Sequence, residues 1–300
     1  MKAANNSNIP RPPQPPPDPV VAPKPPASYY CSLIVPLQPF AIRGVIWYQG
    51  ENNCHFADEY RSLFPAMIRA WREAWGQQAS SRSATDRDYA LPGGDPSTGS
   101  TGSPQAGSGR DFPFLFVQLP GHVKIPPDLR EAQLLTSQTV PRTAMVTIMD
   151  AGGDPMDSHP RKKEPVGARL VLAARAVAYG EKVEYSGPVY ESWKVDGARA
   201  IVRFTHAAGG LEVKGAALTG FTISGDGKEF VEAQAQIVPP GGAGQPADTI
   251  AVWSDKVAKP VAVRYGWVNV PLVNLFNREG LPASPFRTDV PAANPLPKQP

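Results

Sequence analysis

Cysteine is nearly absent from this sequence, with Cys31 and Cys54 the only two in 300 residues. They sit in different local contexts with no CxxC spacing, so neither a zinc site nor a disulfide framework is indicated. Both read as small apolar residues. Runs of one charge are lacking as well: Lys and Arg are scattered among Asp and Glu, and the formal net charge is only +3. That leaves no electrostatic footprint for nucleic acid. No window approaches the roughly 18 consecutive apolar residues of a membrane-spanning helix. The opening MKAANNSNIPRPPQPPPDP has no apolar stretch of the kind an export signal needs. The expectation is a chain with no nucleic-acid partner, no membrane partner and no signal peptide, its compartment left open.

Proline and glycine are plentiful instead, at 36 and 27 residues, too many for one uniformly packed fold. Residues 1–27 form a proline-rich tail with almost nothing apolar to bury, and 290–300 form a second tail. A Gly/Ser-rich segment at about 77–110, containing GGDPSTGSTGSPQAGSG, reads as a flexible insertion. The remainder divides into an α/β region over 28–182, which carries that insertion, and a β region over 183–289.

In the first region apolar strands alternate with amphipathic helices. RGVIWY (Arg43 to Tyr48), FPFLFVQL (Phe112 to Leu119) and AMVTIM (Ala144 to Met149) are continuous apolar strand patterns. Asp58 to Trp75 places Tyr60, Leu63, Phe64, Met67, Ile68, Trp71 and Trp75 at helical spacing, with a bend or a start at Pro65. Leu129 to Ser137 and Val166 to Tyr179 are the other helices. Apolar strands alternating with helices predict a parallel, helix-flanked sheet. After Gly180 the period becomes two, with turn signals such as Asp196-Gly197, which predicts an antiparallel sandwich or a sheet packed on the first region.

Sites in such sheets lie beyond the carboxyl ends of the strands. The first strand ends in Gln49-Gly50-Glu51-Asn52-Asn53, and the third in a loop holding Asp150, Asp154, Asp157 and His159. His159 lies among Gly, Pro and Asp just before a helix, off any apolar face, which suits a general base. Asp157 or Asp154 can hold its tautomer, and the alternative is that both aspartates only cap turns. Gln49 is a neutral donor at a strand end, fit to stabilise an oxyanion or to tie down its own loop. Glu51 orients that loop or binds a hydroxyl, and a structural ion pair is the alternative. His55 beside Asp58, and His122 and His206 on separate loops or strands, read as ordinary surface residues. Glu51, His55, Asp157 and His159 have no ligand spacing that recommends a metal site, so no metal and no cofactor are expected.

GVIWYQGENN, DEYRSLFPAMIRAWREAWG, DFPFLFVQL, LREAQ, DSHPRKKEPVGARL, KPVAVRYGW and NREGLPASPFRTD, in this order, resemble the sialate O-acetylesterase family, carbohydrate esterases of the SGNH-hydrolase type. The resemblance covers roughly residues 27–289, interrupted by the Gly/Ser-rich insertion. It implies a flavodoxin-like three-layer α/β/α core with an accessory antiparallel β domain. It also implies a serine nucleophile, a histidine base and removal of acetyl groups from sugar hydroxyls such as those of sialic acid. His159 matches the family's base and Gln49 of the QGE motif its oxyanion-hole amide, with Glu51 and Asn53 beside it as candidate substrate contacts. The SGNH spacing puts an aspartate three residues before the histidine, where this sequence has Met156, so Asp157 is the candidate acid and a Ser-His dyad the fallback. Family members are typically secreted or periplasmic.

The nucleophile is the departure. A Gly-Gln-Ser-Asn type motif after an early strand is absent from this sequence, and the serines of the Gly/Ser-rich insertion lack a strand-then-helix context. The expectation is therefore an esterase of this type whose N-terminal strands and serine are missing, with a catalytically inactive carbohydrate-binding or scaffold protein as the alternative. In a 2-1-3-4-5 sheet, losing those strands leaves an apolar edge at Arg43 to Tyr48. That edge would take a complementing N-terminal fragment or associate with another strand.

Overall fold

A computed structural model describes residues 27–38, 40–85, 112–242 and 244–289. Most of the proline-rich tail, the larger part of the Gly/Ser-rich insertion and the C-terminal tail lie outside these residues. Two short helical turns, Tyr30–Ile34 and Val35–Leu37, precede the first strand. Three strands, β1 (Val45–Trp47), β2 (Phe114–Val117) and β3 (Thr143–Val146), alternate with helices α1 (Ala57–Thr85), α2 (Pro127–Thr139) and α3 (Glu164–Val177). The strands pair in parallel in the order β1-β2-β3.

Two βαβ crossovers marching the same way along a sheet carry their helices to the same face, because such crossovers are right-handed. The core follows this rule. Phe114 and Phe116 pack with Tyr60, Phe64 and Ile68 of α1 and Leu129 of α2. Their neighbours Leu115 and Val117 point the other way and pack with Val166, Leu170 and Ala173 of α3. Strand residues apolar on both faces are what a sheet between helices requires.

Helix α1 starts one residue before the sequence reading and passes through Pro65 without ending there. Pro65 is buried and donates no hydrogen bond to the turn before it. The helix also runs on to Thr85, through residues that the sequence assigned to the insertion. Polar, serine-rich residues carry no apolar period, so nothing in their pattern announces a continuing helix.

Ten further strands follow: β4 (Val189–Asp196), β5 (Arg199–Thr205), β6 (Leu211–Val213), β7 (Phe221–Ser224), β8 (Val231–Glu232), β9 (Gln234–Ile237), β10 (Thr249–Trp253), β11 (Ala262–Tyr265), β12 (Leu275–Asn277) and β13 (Phe286–Arg287). They form antiparallel sheets in the orders β4-β5-β10-β9 and β13-β11-β7-β8, with a small β12-β6 pair. Val202 and Phe204 of β5, Ile250 of β10, Ile223 of β7 and Tyr265 of β11 share one core, so the two larger sheets pack face to face. The β4-β5 hairpin turns at Gly197, which has φ +59°.

Helix α2 joins the two parts. Arg130 is fully buried, yet faces no carboxylate within bonding distance among the described residues. Its guanidinium donates instead to the carbonyls of Pro120 (3.4 Å), Ile125 (3.2 Å), Asn269 (3.4 Å) and Val268. Burial lowers its pKa to about 10, still far above neutrality, so the cation persists. Next to it Glu131 accepts from Arg61 of α1 and from Arg287 of β13, the latter at 2.9 Å through both nitrogens. Gln118, also fully buried, donates to Ser284 Oγ at 2.8 Å and accepts from Thr147 Oγ1 at 3.1 Å. Within the β part, Gly187 lets the chain approach the Pro282 segment, since a Cβ there would lie 1.9 Å from the Pro282 carbonyl oxygen.

Replacing Arg130 by Met keeps the side-chain volume and strands several buried carbonyls. The expected cost is about 3 kcal/mol or more, read as a lower urea midpoint with unchanged slope. A loss below about 1 kcal/mol would show that those carbonyls do not depend on the guanidinium.

Candidate active site

Because the three strands are parallel, the loops leaving β1, β2 and β3 emerge at one edge of the sheet. Gln49 follows β1 by two residues. Its Nε2 donates to Asn53 Oδ1 at 2.8 Å and its Oε1 accepts from Tyr60 at 3.4 Å. Gln133 of α2 fixes the same loop by donating to the Gln49 carbonyl at 3.3 Å, and it accepts from the Leu119 N–H at 2.9 Å. The Gln49 side chain thus does tie down its loop, and a primary amide still has a second N–H to offer. Gly50 has φ +139°, and a Cβ there would meet Leu119 Cδ1 at 3.0 Å, so the turn needs glycine.

The β3 loop lies against this one. The His159 side chain is 77% exposed, and its Nε2 lies 3.9 Å from Glu51 Oε1. Asp157 Oδ1 accepts the His159 backbone N–H at 2.8 Å, and Asp154 Oδ1 accepts the Met156 N–H at 2.9 Å. Both aspartates therefore cap turns, and the carboxylate facing the imidazole is that of Glu51, from the other loop. Asp150 takes no part in this arrangement. It forms a bidentate pair with Arg169 of α3 at 2.7 Å, and Arg169 also holds the Thr147 carbonyl.

The sequence reading of His122 as a surface residue is corrected here, because it is buried, at 8% exposure. Its Nδ1 accepts the Lys124 N–H at 3.1 Å, which leaves the proton on Nε2 to donate to the Met156 carbonyl at 3.3 Å. The Val123 N–H donates to the Pro155 carbonyl at 3.1 Å. The β2 loop thus carries the segment that ends in His159. His206 is half-buried and pairs with Glu184 at 2.7 Å, on the β side of the molecule. Among the described residues no group of three or more His, Cys, Asp or Glu side chains is placed to hold a metal ion.

Tyr48 lies between the loops. Lys163 Nζ sits 4.8 Å from its ring centroid, and its hydroxyl is buried without a hydrogen-bond partner among the described residues. Burial, with the charge of Glu51 adding to it, pushes the phenol up to about 12.

No family model matches this chain. It is 34% identical over 188 residues to the sialate O-acetylesterase of Rattus norvegicus, a match taking in 57% of this chain and 30% of that protein. It is 32% identical over 205 residues to the Homo sapiens sialate O-acetylesterase, with 63% and 34% covered. A carbohydrate acetylesterase from Xanthomonas citri is similar in structure, with a TM-score of 0.69 and 40% identity over 86% of this chain and 53% of that one. The chain spans about a third of the length of the curated relatives it matches and about half of the solved one. The resemblance to the sialate O-acetylesterase family read from the motifs is borne out by these matches.

Tyr48→Phe removes the unpartnered hydroxyl and is expected to stabilise the fold at neutral pH by about 1 kcal/mol. A phenol whose pKa is raised from 10.0 to about 12 on folding destabilises the fold increasingly as pH rises from 10 toward 12, because the unfolded chain gives up that proton first. The substitution should therefore flatten the fall of stability across that window in urea titrations. An unchanged slope would show that Tyr48 ionises as freely folded as unfolded.

Proposed function

We propose that this chain, a relative of the sialate O-acetylesterases, supplies the histidine base and the oxyanion amide of a site that removes acetyl groups from sugar hydroxyls. Its frame is a flavodoxin-like three-layer α/β/α SGNH-type core followed by an antiparallel β domain. The observation that supports this reading best is the meeting of two loops at the carboxyl ends of parallel strands, with Glu51 and His159 3.9 Å apart.

The chemistry is acyl transfer. His159 accepts the proton of a serine hydroxyl as that oxygen attacks the acetyl carbonyl, and returns it to the departing sugar oxygen. The free N–H of Gln49 meets the oxyanion of the tetrahedral intermediate. Water then attacks the acetyl-enzyme as His159 takes its proton, and His159 passes that proton to the departing serine oxygen as acetic acid leaves. Asp157 fixes the backbone of the histidine, while Glu51 and Asn53 line the approach for the sugar.

The serine is the part that this sequence does not supply in a recognisable motif. We infer that it arrives on a strand-helix segment pairing with β1. This strand is a sheet edge among the described residues, and Ile46 in its middle is 65% exposed. Leu33, Leu37 and Phe40 just before it are also exposed. An apolar parallel edge with no cover is a place for another strand. The missing motif also favours a second reading, a carbohydrate-binding protein without chemistry.

The test is acetyl release by the isolated chain from p-nitrophenyl acetate and from an O-acetylated sugar, beside His159→Ala. The expected result is no histidine-dependent turnover from the chain alone. Turnover at an enzyme-like rate that disappears in His159→Ala would overturn the inference that the serine comes from elsewhere. Saturable binding of the acetylated sugar that survives His159→Ala, with no turnover under any condition, would favour the second reading.

A further inference from the structure

Away from the histidine loop, the outer face of the β4-β5-β10-β9 sheet carries an open cleft of about 760 Å³. This lies within the range of roughly 300–1,000 Å³ of small-molecule sites. The strand register sets its floor: Lys194 pairs with Ile201, Ser192 with Arg203, and Arg203 with Thr249, so these side chains share one face. The wall opposite is the loop after β9, which contributes Pro239, Pro240, Gln245 and Pro246.

The loop that forms the wall is anchored at both ends. The Val238 N–H donates to the Thr249 carbonyl at 2.9 Å, the Leu211 N–H to Ala247 at 2.9 Å and the Phe204 N–H to Asp248 at 3.0 Å. The Asp248 carboxylate accepts from Thr249 Oγ1 at 2.8 Å and from Arg203 Nε at 3.1 Å. Pro239, Pro240 and Pro246 bring preset φ to this loop.

The chemistry of the lining points to one class of ligand. Arg203 Nε lies 3.1 Å from Asp248 and 3.3 Å from Glu191, a neighbour outside the lining. With Arg203 so paired, the lining holds no cluster of one charge to select an ion. What remains is a row of donors and acceptors, the hydroxyls of Ser192 and Thr249, the amide of Gln245 and the guanidinium of Arg203, set among the flat apolar faces of proline and Ile201. Hydroxyls donate and accept at once, and a sugar ring presents them around an apolar face. We propose that this cleft binds a neutral, unbranched oligosaccharide, at a site separate from the histidine loop.

The test measures binding by the full chain of three unacetylated neutral sugars, xylohexaose, mannohexaose and cellohexaose, by calorimetry. The variants are Arg203→Ala and Ser192→Tyr, the second filling the trough from an exposed position. His159→Ala is the control that separates this site from the acetylesterase reading. Saturable binding of at least one sugar is expected, weakened at least about tenfold in both cleft variants, the scale of one lost charge-assisted hydrogen bond, and unchanged in His159→Ala. Equal thermal midpoints of wild type and Ser192→Tyr establish that the loss is local. No saturable binding of any of the three sugars would overturn the proposal. So would binding that both cleft variants retain, or binding lost in His159→Ala alone.

Discussion

A buried cation bonded to no carboxylate among the described residues constrains how the two parts of this molecule meet. Burying a guanidinium is tolerable only if its donors find acceptors, and Arg130 finds them in carbonyls of the β2 loop and of the segment at 268–269 in the β part. The carbonyls in turn have fixed positions only if both parts are folded and docked. Around this bond lie others across the same junction: Glu131 with Arg287, and Gln118 with Ser284. The five residues LREAQ of helix α2 thus serve three directions at once, because Gln133 reaches forward to hold the loop of Gln49.

The candidate site inherits its order from that helix. Gln133 ties the β1 loop to the β2 loop, and His122 of the β2 loop holds the carbonyl of Met156, three residues before His159. Neither Gln133 nor His122 faces the space between Glu51 and His159, yet each positions a loop that does. His159 itself is mostly exposed, and β1 is an edge of the sheet among the described residues. A partner strand there would both cover the apolar edge and close the site from the open side.

Much of this was legible in the sequence, and the rest was not for identifiable reasons. The apolar runs FLFV and AMV announce strands covered on both faces, and their order with the helices is the order found. The break from VIWY to QGENN announces a loop at a strand end. Arg130 was invisible, because arginine in an amphipathic helix reads as a surface residue and the carbonyls that receive it lie up to 139 residues further along the chain. His122 escaped notice for the same reason, as its partners belong to a loop 34 residues away. Asp157 was legible as a polar residue near a histidine, but spacing cannot tell a carboxylate that reaches the ring from one that caps the backbone. Glu51 came to face the ring only through the parallel pairing of β1 with β2 and β2 with β3.

The central claim is that the histidine loop and the QGE loop form one side of an acetyl-transfer site that a strand-borne serine completes. The most direct measurement adds, in trans, a strand-helix segment carrying a Gly-x-Ser motif, and follows both its association with the chain and acetate release from an acetylated sugar. The account predicts a complex whose acetate release is lost in His159→Ala and reduced about 10² to 10³-fold in Gln49→Ala. A stable complex that releases no acetate, or one whose release is indifferent to both substitutions, would contradict it.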